Sequence, residues 1–300
     1  MKRSILHMLD PMPNNSPFDI NMAVDAGFDI LMPYNNVKLE NVHGLTQDAV
    51  FSRGPAGVKR TGLFIGGRNL GLAVDMFDTA KQAMMPPFAI SVFADPSGAF
   101  TTAAALVACV EKELKSKHGK ELADCKAVIF GGTGPVGIAT GIIASLAGAE
   151  TTIVDHLYLE TAVDIAKQYN RRFGCNLKGA VASFDKDKIE LLKDVDVIFC
   201  AAKAGIQVLN ALILKEVAQL KVAGDVNAVA PAGIEGVNAQ DMGVPMIHAT
   251  HCNAVGVGAL AVGNVKYQVQ HALLVSMLES ETPIYLDFRD AFIKAREIFK

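Results

Sequence analysis

The sequence predicts an α/β protein that combines a doubly wound parallel sheet with a smaller α/β domain before it. From Cys125 onward, apolar β-branched runs alternate with glycine turns and helical periods, as in chains that form parallel sheets. The runs at 126–130 and 195–200 are almost continuously apolar, which is typical of strands covered on both faces. A dense cluster of charges at 112–121 separates this half from the preceding one, where apolar runs and helical periods also alternate.

The same patterns give an expectation for each element and for the domains. Strands are expected at 4–9, 61–66, 88–93, 126–130, 151–154, 180–183, 195–200 and 220–225. Helices are expected at 19–26, 70–85, 101–114, 136–146, 158–172, 186–192, 263–278 and 290–299. We predict a small α/β domain at 1–118, the doubly wound domain at 119–255, and C-terminal helices at 256–300 that pack back on the first domain.

Composition and charge exclude several classes of protein. The 300 residues are 51% hydrophobic and 20% charged, which is too apolar for a disordered chain. The sequence has 28 Lys and Arg residues against 31 acidic residues. It contains no basic run with interleaved aromatic residues, so nucleic-acid binding is not predicted. The long uncharged stretches are rich in Gly, Pro, Asn and His, unlike a membrane span. Five scattered cysteines without a CxxC pair indicate a reducing compartment, so we expect a cytoplasmic protein.

A glycine-rich turn follows the strand expected at 126–130 and opens the helix expected at 136–146. Such a turn in a Rossmann domain allows close approach of the backbone to a pyrophosphate, which the free N–H groups of the helix N-terminus bind. Glycines also mark ordinary strand-to-helix turns, but here the context fits the motif. We therefore predict cofactor binding by Gly132, Thr133, Gly134, Pro135, Val136 and Gly137.

Asp155 ends the next expected strand, 18 positions after Gly137. This spacing is close to that of the acid that binds the ribose hydroxyls of the adenosine in dinucleotide-binding domains. Its carboxylate would repel a 2′-phosphate, and no Lys or Arg lies between Asp155 and Glu160. We therefore predict NAD as the cofactor, with weaker use of NADP, and include His156 in the cofactor site. The alternative is that Asp155 caps the helix that begins near Tyr158.

Two further loops follow the strands expected at 195–200 and 220–225. In a doubly wound sheet, loops at the carboxyl ends of the strands supply the remaining cofactor contacts. The small residues of 201–205 and 225–228 fit a cofactor that lies close to the backbone. We assign Ala201, Lys203 and Asp225 to the cofactor site; the alternative is that these loops are ordinary turns.

Two charged residues are isolated in apolar surroundings. Lys266 is the only charged residue between Asp241 and Glu279, and Asp95 is the only one from Gln82 to Val110. A buried charge is costly unless it is paired or meets a polar ligand, so both are candidate site residues. The structural alternatives are a lysine stem that reaches solvent and, around Asp95, residues such as Thr101 that cap a helix. Asp19 is either a first-turn partner of the helix dipole or a ligand.

Several catalytic machineries are missing from the sequence. It contains no HExxH, GxSxG or Walker A motif, so hydrolysis and phosphoryl transfer lack their usual residues. The seven histidines are dispersed without acidic neighbours at metal-binding spacing, and we expect no metal site.

Four segments carry a resemblance to a known family: 131–137, 225–234, 256–266, and Phe93–Pro96 with Thr101 and Thr102. They are similar to segments of the methylene-tetrahydromethanopterin dehydrogenases of methylotrophic bacteria. The likeness covers nearly the whole chain, including 16–19 and Arg53. The chain is more similar to the branch that can use NAD than to the strictly NADP-dependent branch, in which a Gly-Arg pair replaces Asp155 and His156.

The resemblance implies oxidation of methylene-tetrahydromethanopterin to the methenyl cation, with hydride transfer to the nicotinamide, in the oxidation of formaldehyde. The nitrogen lone pairs of the substrate expel the hydride, so the protein need only align the reactants. It also implies a homo-oligomer, for which a trimer is one option. The residues so implicated are Asp225 and Asn227 near the nicotinamide, and Asp19, Asp95, Thr102 and Lys266 at the pterin, with Asp95 and Lys266 as the catalytic candidates.

Two alternatives remain open from the sequence. The first is the same reaction on methylene-tetrahydrofolate, because the two substrates share the reacting methylene bridge. The second is an NAD-binding sensor that kept the fold and lost the chemistry, although the isolated Asp95 and Lys266 would then be a cost without a benefit.

Overall fold

The computed structural model describes residues 2–300, which form two parallel-sheet units. The strands are β1 (Ile5–Leu9), β2 (Ile30–Tyr34), β3 (Thr61–Ile65), β4 (Ser91–Ala94), β5 (Lys126–Phe130), β6 (Glu150–Asp155), β7 (Leu177–Val181), β8 (Val197–Cys200), β9 (Val222–Asp225), β10 (Met242–Pro245), β11 (Val255–Val257) and β12 (Tyr285–Leu286). The helices are α1 (Pro17–Asp25), α2 (Leu39–Phe51), α3 (Pro55–Val58), α4 (Leu70–Gln82), α5 (Ala99–His118), α6 (Pro135–Leu146), α7 (Leu159–Phe173), α8 (Asp185–Leu192), α9 (Ala211–Glu216), α10 (Ala259–Glu279) and α11 (Phe288–Glu297).

The first unit contains the residues up to Thr101 together with Tyr267–Lys294. Its five strands are all parallel and lie in the order β12, β4, β3, β1, β2. Every residue of β3 and β4 is buried, whereas the residues of the edge strand β2 are half-buried or exposed. This contrast follows from position, because a central parallel strand is covered on both faces and along both edges.

The second unit contains Thr102–Lys266 and Ala295–Lys300. Its seven strands lie in the order β10, β11, β9, β8, β5, β6, β7, and all pair in parallel except β10 with β11. The chain runs outward from β5 through β6 to β7 and then returns to β8 on the other side of β5. The strand order therefore reverses between β5 and β8, which is where doubly wound sheets bind ligands. The predicted fold class is confirmed.

The helices pack on the second sheet through small residues. A Cβ on Gly224 of β9 would lie 2.7 Å from Leu106 Cδ1 of α5, and one on Gly179 of β7 would lie 2.5 Å from the backbone nitrogen of Val163 in α7. On α7 the buried residues Ala162, Ala166 and Tyr169 recur at helical spacing. The sheet and α7 are thus close enough that glycine is required at Gly179, which faces helix backbone, whereas at Gly224 a larger residue would have to displace side chains of α5.

Some predicted boundaries differ from the structure, and some elements were not predicted. β4 begins at Ser91 rather than 88, because Pro86 and Pro87 occupy a tight turn closed by Met85 and Phe88. β7 lies earlier than the expected 180–183, since its pairing with β6 runs from Leu177 to Val181. The edge strand β2, the short strands β10, β11 and β12, and helices α2, α3 and α9 were not predicted. The predicted division into a first domain at 1–118, a doubly wound domain at 119–255 and C-terminal helices at 256–300 stays a prediction.

None of the helices in the described part of the chain is long and apolar enough to cross a membrane.

The close packing of β7 on α7 makes a testable prediction. We expect Gly179→Ala to lower the free energy of unfolding by about 1–3 kcal/mol, because the new methyl group meets helix backbone, which cannot rotate away. Urea denaturation at constant pH measures the change.

Gly44→Ala is the matched control. Gly44 lies inside α2, and nothing lies within 4 Å of the position that its Cβ would take, so the same change should stabilise the protein by about 0.5–1 kcal/mol. Equal effects of the two substitutions would contradict the close approach of Gly179 to α7.

Candidate functional site

The glycine-rich turn lies between β5 and α6, next to the point where the strand order reverses. Gly131 has φ +68°, and a Cβ there would lie 2.5 Å from the carbonyl oxygen of Ala201, at the end of β8. A Cβ on Gly137 would lie 2.1 Å from the carbonyl oxygen of Gly131. Side chains are therefore excluded, and the loop after β5 lies against the backbone that follows β8.

The start of α6 completes a cradle for a phosphate. Gly134 is the N-cap and Pro135 is the first helical residue, and the first helical hydrogen bond joins the Ile138 amide to the Gly134 carbonyl at 2.8 Å. The amides of the first turn have no carbonyl partner within a helix, and the helix dipole adds partial positive charge. The residues present fit the pyrophosphate of a dinucleotide.

Asp155 lies at the end of β6 beside this cradle. Its Oδ2 accepts a hydrogen bond from the hydroxyl of Thr133 at 2.9 Å, and its Oδ1 accepts from the amides of Leu157 and Tyr158 at 2.8 and 2.9 Å. Burial alone would raise the pKa of Asp155, but these hydrogen bonds outweigh it and lower the pKa below its usual value. The carboxylate is thus charged at neutral pH and joins the glycine-rich turn to the loop after β6.

These contacts bear on both interpretations of Asp155. The two hydrogen bonds from backbone amides are those expected of a residue that organises the turn before α7, as in the capping interpretation. The Thr133 bond places the same carboxylate at the glycine-rich turn, where a ribose-binding acid belongs. The following side chains His156, Leu157 and Tyr158 are exposed beside it.

Asp225 ends β9 and binds the loop that follows. Its Oδ1 accepts from the Asn227 amide at 2.9 Å and its Oδ2 from the Ile234 amide at 3.0 Å, and the Cys200 thiol also donates to it. Only 2% of the residue is exposed. Burial raises the pKa of Asp225, and the hydrogen bonds offset part of that effect. The carboxylate therefore holds the loop in place.

Asn227 connects the two loops that follow β8 and β9. Its Oδ1 accepts from the amides of Gly205 and Val229 at 3.1 and 3.0 Å, and its Nδ2 donates to the carbonyl of Pro231 at 3.0 Å. The side chain thus fixes the loop at 201–210 relative to the loop at 225–234, both at the carboxyl ends of the sheet. Lys203 is exposed in the first of these loops and Ala201 is half-buried.

In the first unit, Asp95 is completely buried after β4. Its Oδ1 accepts from the amides of Phe100 and Thr101 at 2.9 and 3.1 Å, and its Oδ2 from the Thr101 hydroxyl at 2.6 Å. The Asp95 carboxylate therefore binds two amides of the first turn of α5 and the hydroxyl of Thr101. Ser97 in the same turn has φ +52°, a strained conformation held by its hydrogen bond to the Gly67 carbonyl at 2.8 Å.

The remaining candidates are divided between the units. Asp19 belongs to the first unit, is 5% exposed and accepts a hydrogen bond from Gln270 Nε2 at 2.7 Å. Thr102 and Lys266 belong to the second unit and are half-buried, in α5 and α10 respectively. The roles assigned to the candidate site residues stay predictions.

Comparison with known proteins identifies the family. A family model described as "Methylene-tetrahydromethanopterin dehydrogenase, N-terminal" matches residues 17–97. The chain is 48% identical over 298 residues to the NAD(P)-dependent methylenetetrahydromethanopterin dehydrogenase of Methylorubrum extorquens, covering 99% of both chains. The chain belongs to the methylene-tetrahydromethanopterin dehydrogenase family. The resemblance inferred from the sequence motifs is thereby confirmed.

Three further proteins are less similar to this chain than that dehydrogenase. The bifunctional protein MdtA of the same organism is 28% identical over 298 residues, covering 99% of this chain and all of its own. Two solved shikimate 5-dehydrogenases share the fold. The enzyme from Listeria monocytogenes has a TM-score of 0.54 at 13% identity, covering 99% of this chain and 96% of its own. That from Mycobacterium fortuitum has a TM-score of 0.52 at 15% identity, with 98% of each chain covered.

Sequence reasoning missed three features of this dehydrogenase's loops. Thr133 was assigned to the cofactor, but its bond to Asp155 gives it a second task that spacing alone does not reveal. Asp10 follows β1, is 5% exposed, and accepts a hydrogen bond at its Oδ1 from the Met12 amide at 2.7 Å, yet it was not predicted as a candidate. The sequence pattern could have identified Asp10, because it directly follows an apolar run, as Asp95 does. The link from Gly205 to Asn227 joins distant segments and left no local signal.

The lowered pKa of Asp155 predicts a pH-dependent contribution to stability. A lowered pKa means that the folded state favours the charged form, so this contribution is present above the unfolded value of about 4 and is lost as the pH falls through the folded value. We expect Asp155→Asn to lower the free energy of unfolding at pH 7 by about 1–2 kcal/mol. The deficit should shrink as the pH falls below about 4, in urea titrations of both proteins.

Asp164→Asn is the control, because Asp164 is an exposed carboxylate on α7 whose partner Lys167 lies 3.7 Å away. It should change stability by less than about 0.5 kcal/mol at either pH. A deficit in Asp155→Asn that stayed constant across the titration would show that the charge of Asp155 is not what stabilises the turn.

Proposed function

We propose that this protein catalyses hydride transfer from methylene-tetrahydromethanopterin to NAD(P), giving the methenyl cation, in formaldehyde oxidation. The observation that carries the proposal is the 48% identity over 99% of the chain to an NAD(P)-dependent methylenetetrahydromethanopterin dehydrogenase. The glycine-rich turn, the N-terminus of α6 and Asp155 support it, because together they form a dinucleotide cradle.

The residues of the chain bind and orient in this proposal. The turn at 131–137 excludes side chains so that the amides at the start of α6 can hold a pyrophosphate, and Asp155 accepts hydrogen bonds from ribose hydroxyls. Asn227 and Asp225 fix the loops nearest the nicotinamide end. When bound, the nicotinamide supplies the hydride acceptor.

No proton transfer is required of the protein. The hydride leaves with its electron pair, the adjacent nitrogens of the substrate stabilise the cation that remains, and no proton is released or taken up at the reacting carbon. The buried carboxylates agree with this chemistry, because Asp95 and Asp225 accept hydrogen bonds from backbone amides or a hydroxyl at both oxygens. Alignment of the reactants is then the source of the rate enhancement.

A preference for NAD over NADP is part of the proposal. The Asp155 carboxylate is charged at neutral pH, and the neighbouring exposed side chains Leu157 and Tyr158 carry no cation that could bind a 2′-phosphate. His156, exposed next to Asp155, carries a ring N–H that could donate a hydrogen bond to such a phosphate. NADP use is therefore expected to be weaker than NAD use but not absent.

Two further expectations complete the proposal. The five cysteines are free thiols, as in proteins of a reducing compartment, which supports a cytoplasmic location. The homo-oligomer implied by the family resemblance stays a prediction.

The purified protein should reduce NAD when methylene-tetrahydromethanopterin is added, with kcat/KM at least tenfold higher than with methylene-tetrahydrofolate. NADH absorbance measures the rate, and the same assay with NADP should give a lower kcat/KM than with NAD. Turnover confined to the folate would favour the alternative reaction, and NAD binding without turnover of either pterin would show a cofactor-binding sensor. A higher kcat/KM for NADP would contradict the role of Asp155.

Lys266→Ala should lower kcat/KM for the pterin at least tenfold, equivalent to about 1.4 kcal/mol of transition-state stabilisation, and leave NAD affinity unchanged. The reason is that Lys266 is half-buried in α10, where its ammonium group is expected to meet a polar substrate. Steady-state kinetics and NAD titration measure the two effects. Lys215→Ala, on the exposed side of α9, is the control and should leave kcat/KM and NAD affinity unchanged. Unaltered turnover in Lys266→Ala would show that Lys266 does not belong to the site.

A further inference from the structure

The first unit contains a cavity of about 510 Å³ at the amino ends of its strands. Thr61 begins β3, Ser91 begins β4, and Pro283 lies just before β12, and all three line the cavity. Asp95 lies at the other end of β4, since it follows the last residue of that strand. A five-residue strand such as β3 spans roughly 17 Å, so the cavity is separate from the loops at the carboxyl ends.

Arg53 supplies a positive charge to this cavity, and no carboxylate in the described part of the chain forms an ion pair with it. Among residues 2–300, its guanidinium donates to neutral oxygens only: the Thr61 hydroxyl at 3.0 Å and the carbonyls of Arg3 and Arg60 at 3.0 and 3.5 Å. A guanidinium has five N–H donors, so donors remain for a further acceptor. His7 on β1 responds to this charge, because burial first and Arg53 second lower the pKa of His7.

The other charges of the cavity neutralise each other at its rim. Lys59 Nζ lies 3.0 Å from Glu281 Oε2, and both side chains are mostly exposed. An exposed pair of this kind contributes little attraction to a third ion. Arg53 is therefore the group that gives the cavity its preference for charge.

The walls of the cavity are apolar and include an aromatic ring. Pro55, Val58, Ile90 and Phe88 line it, and 51% of Phe88 is exposed although its ring packs 5.6 Å from that of Phe51. Cavities of roughly 300–1,000 Å³ that combine apolar walls with a few polar groups are typical sites for small molecules. Apolar walls with a single cation select an apolar body that carries one negative group.

We propose that this cavity is a binding site for a small aromatic carboxylate. The ring would pack against Phe88 and Val58, and the carboxylate would accept hydrogen bonds from the donors of Arg53 that remain free of protein acceptors. The site is independent of the dehydrogenase proposal, because none of its lining residues belongs to the dinucleotide cradle or to the pterin candidates.

Isothermal titration of the full-length protein with benzoate tests this site, with benzamide and cyclohexanecarboxylate as comparison probes. Benzoate should bind with a dissociation constant of the order of 1 mM, as expected for so small a ligand. Benzamide keeps the ring and shape but lacks the charge, and should bind at least tenfold more weakly. Cyclohexanecarboxylate keeps the charge but loses the aromatic face, and should bind more weakly than benzoate.

Two variants locate the binding. Arg53→Gln removes the charge and should weaken benzoate binding at least tenfold, and Val58→Phe should do the same by filling the cavity. Arg68→Gln is the matched control, because Arg68 is an exposed arginine of the same unit that follows the carboxyl end of β3. It should leave benzoate binding unchanged. Thermal unfolding of each variant separates lost binding from lost folding, and the benzamide comparison requires no variant.

Three results would overturn the proposal: no binding of any carboxylate probe, equal affinity for benzamide and benzoate, or unchanged benzoate affinity in a folded Arg53→Gln protein. If no probe binds and Phe88→Ser also lowers the molecular mass in solution, the surface is a contact between copies of the chain and the small-molecule site is wrong. Sedimentation velocity measures that mass.

Discussion

Hydrogen bonds from loop amides to buried aspartates are the interaction on which the functional edge of each sheet depends. Asp10 follows β1, Asp95 follows β4, and Asp155 and Asp225 end β6 and β9. Each accepts a hydrogen bond from at least one backbone amide of the segment that follows it, which for Asp95 is the first turn of α5. A buried carboxylate without partners would cost several kcal/mol, so the loops and the aspartates stabilise each other. Loss of either would release these segments.

This arrangement determines what kind of catalyst the protein can be. A carboxylate whose two oxygens already accept hydrogen bonds from within the protein, as in Asp95 and Asp225, is poorly placed to exchange protons with a substrate. It is well placed to keep loops from moving, and the bridge from Gly205 through Asn227 extends that rigidity from one loop to the next. Hydride transfer between two bound rings needs this kind of rigidity, since it requires alignment and no general acid or base.

The sequence predicted the elements that a pattern of buried residues or glycines determines locally. β5 was predicted with its observed boundaries. In the turn, Gly137 is required by its contact with the nearby Gly131 carbonyl, whereas Gly131 is required by Ala201, which is distant along the chain. The edge strand β2 was missed because Pro33 interrupts its apolar run, and a proline argues against a strand in the sequence. For Asp95, isolation among apolar residues indicated a special role, but the choice between capping and ligand binding depended on the positions of the Phe100 and Thr101 amides, for which no side-chain pattern exists.

The polarity of parallel α/β units explains why the two ends of the first sheet differ. Helices run back against the strands, so their N-termini, with partial positive charge, gather at the carboxyl edge, where the buried aspartates lie. Their C-termini gather at the amino edge, and α2 ends at Phe51, two residues before Arg53. The negative end of that helix dipole amounts to about half an elementary charge, so it lowers the cost of half-burying Arg53 without neutralising it. At the amino edge, selectivity for a negative ligand therefore depends on one side chain, whereas at the carboxyl edge of the second sheet it is shared by the backbone amides that begin α6.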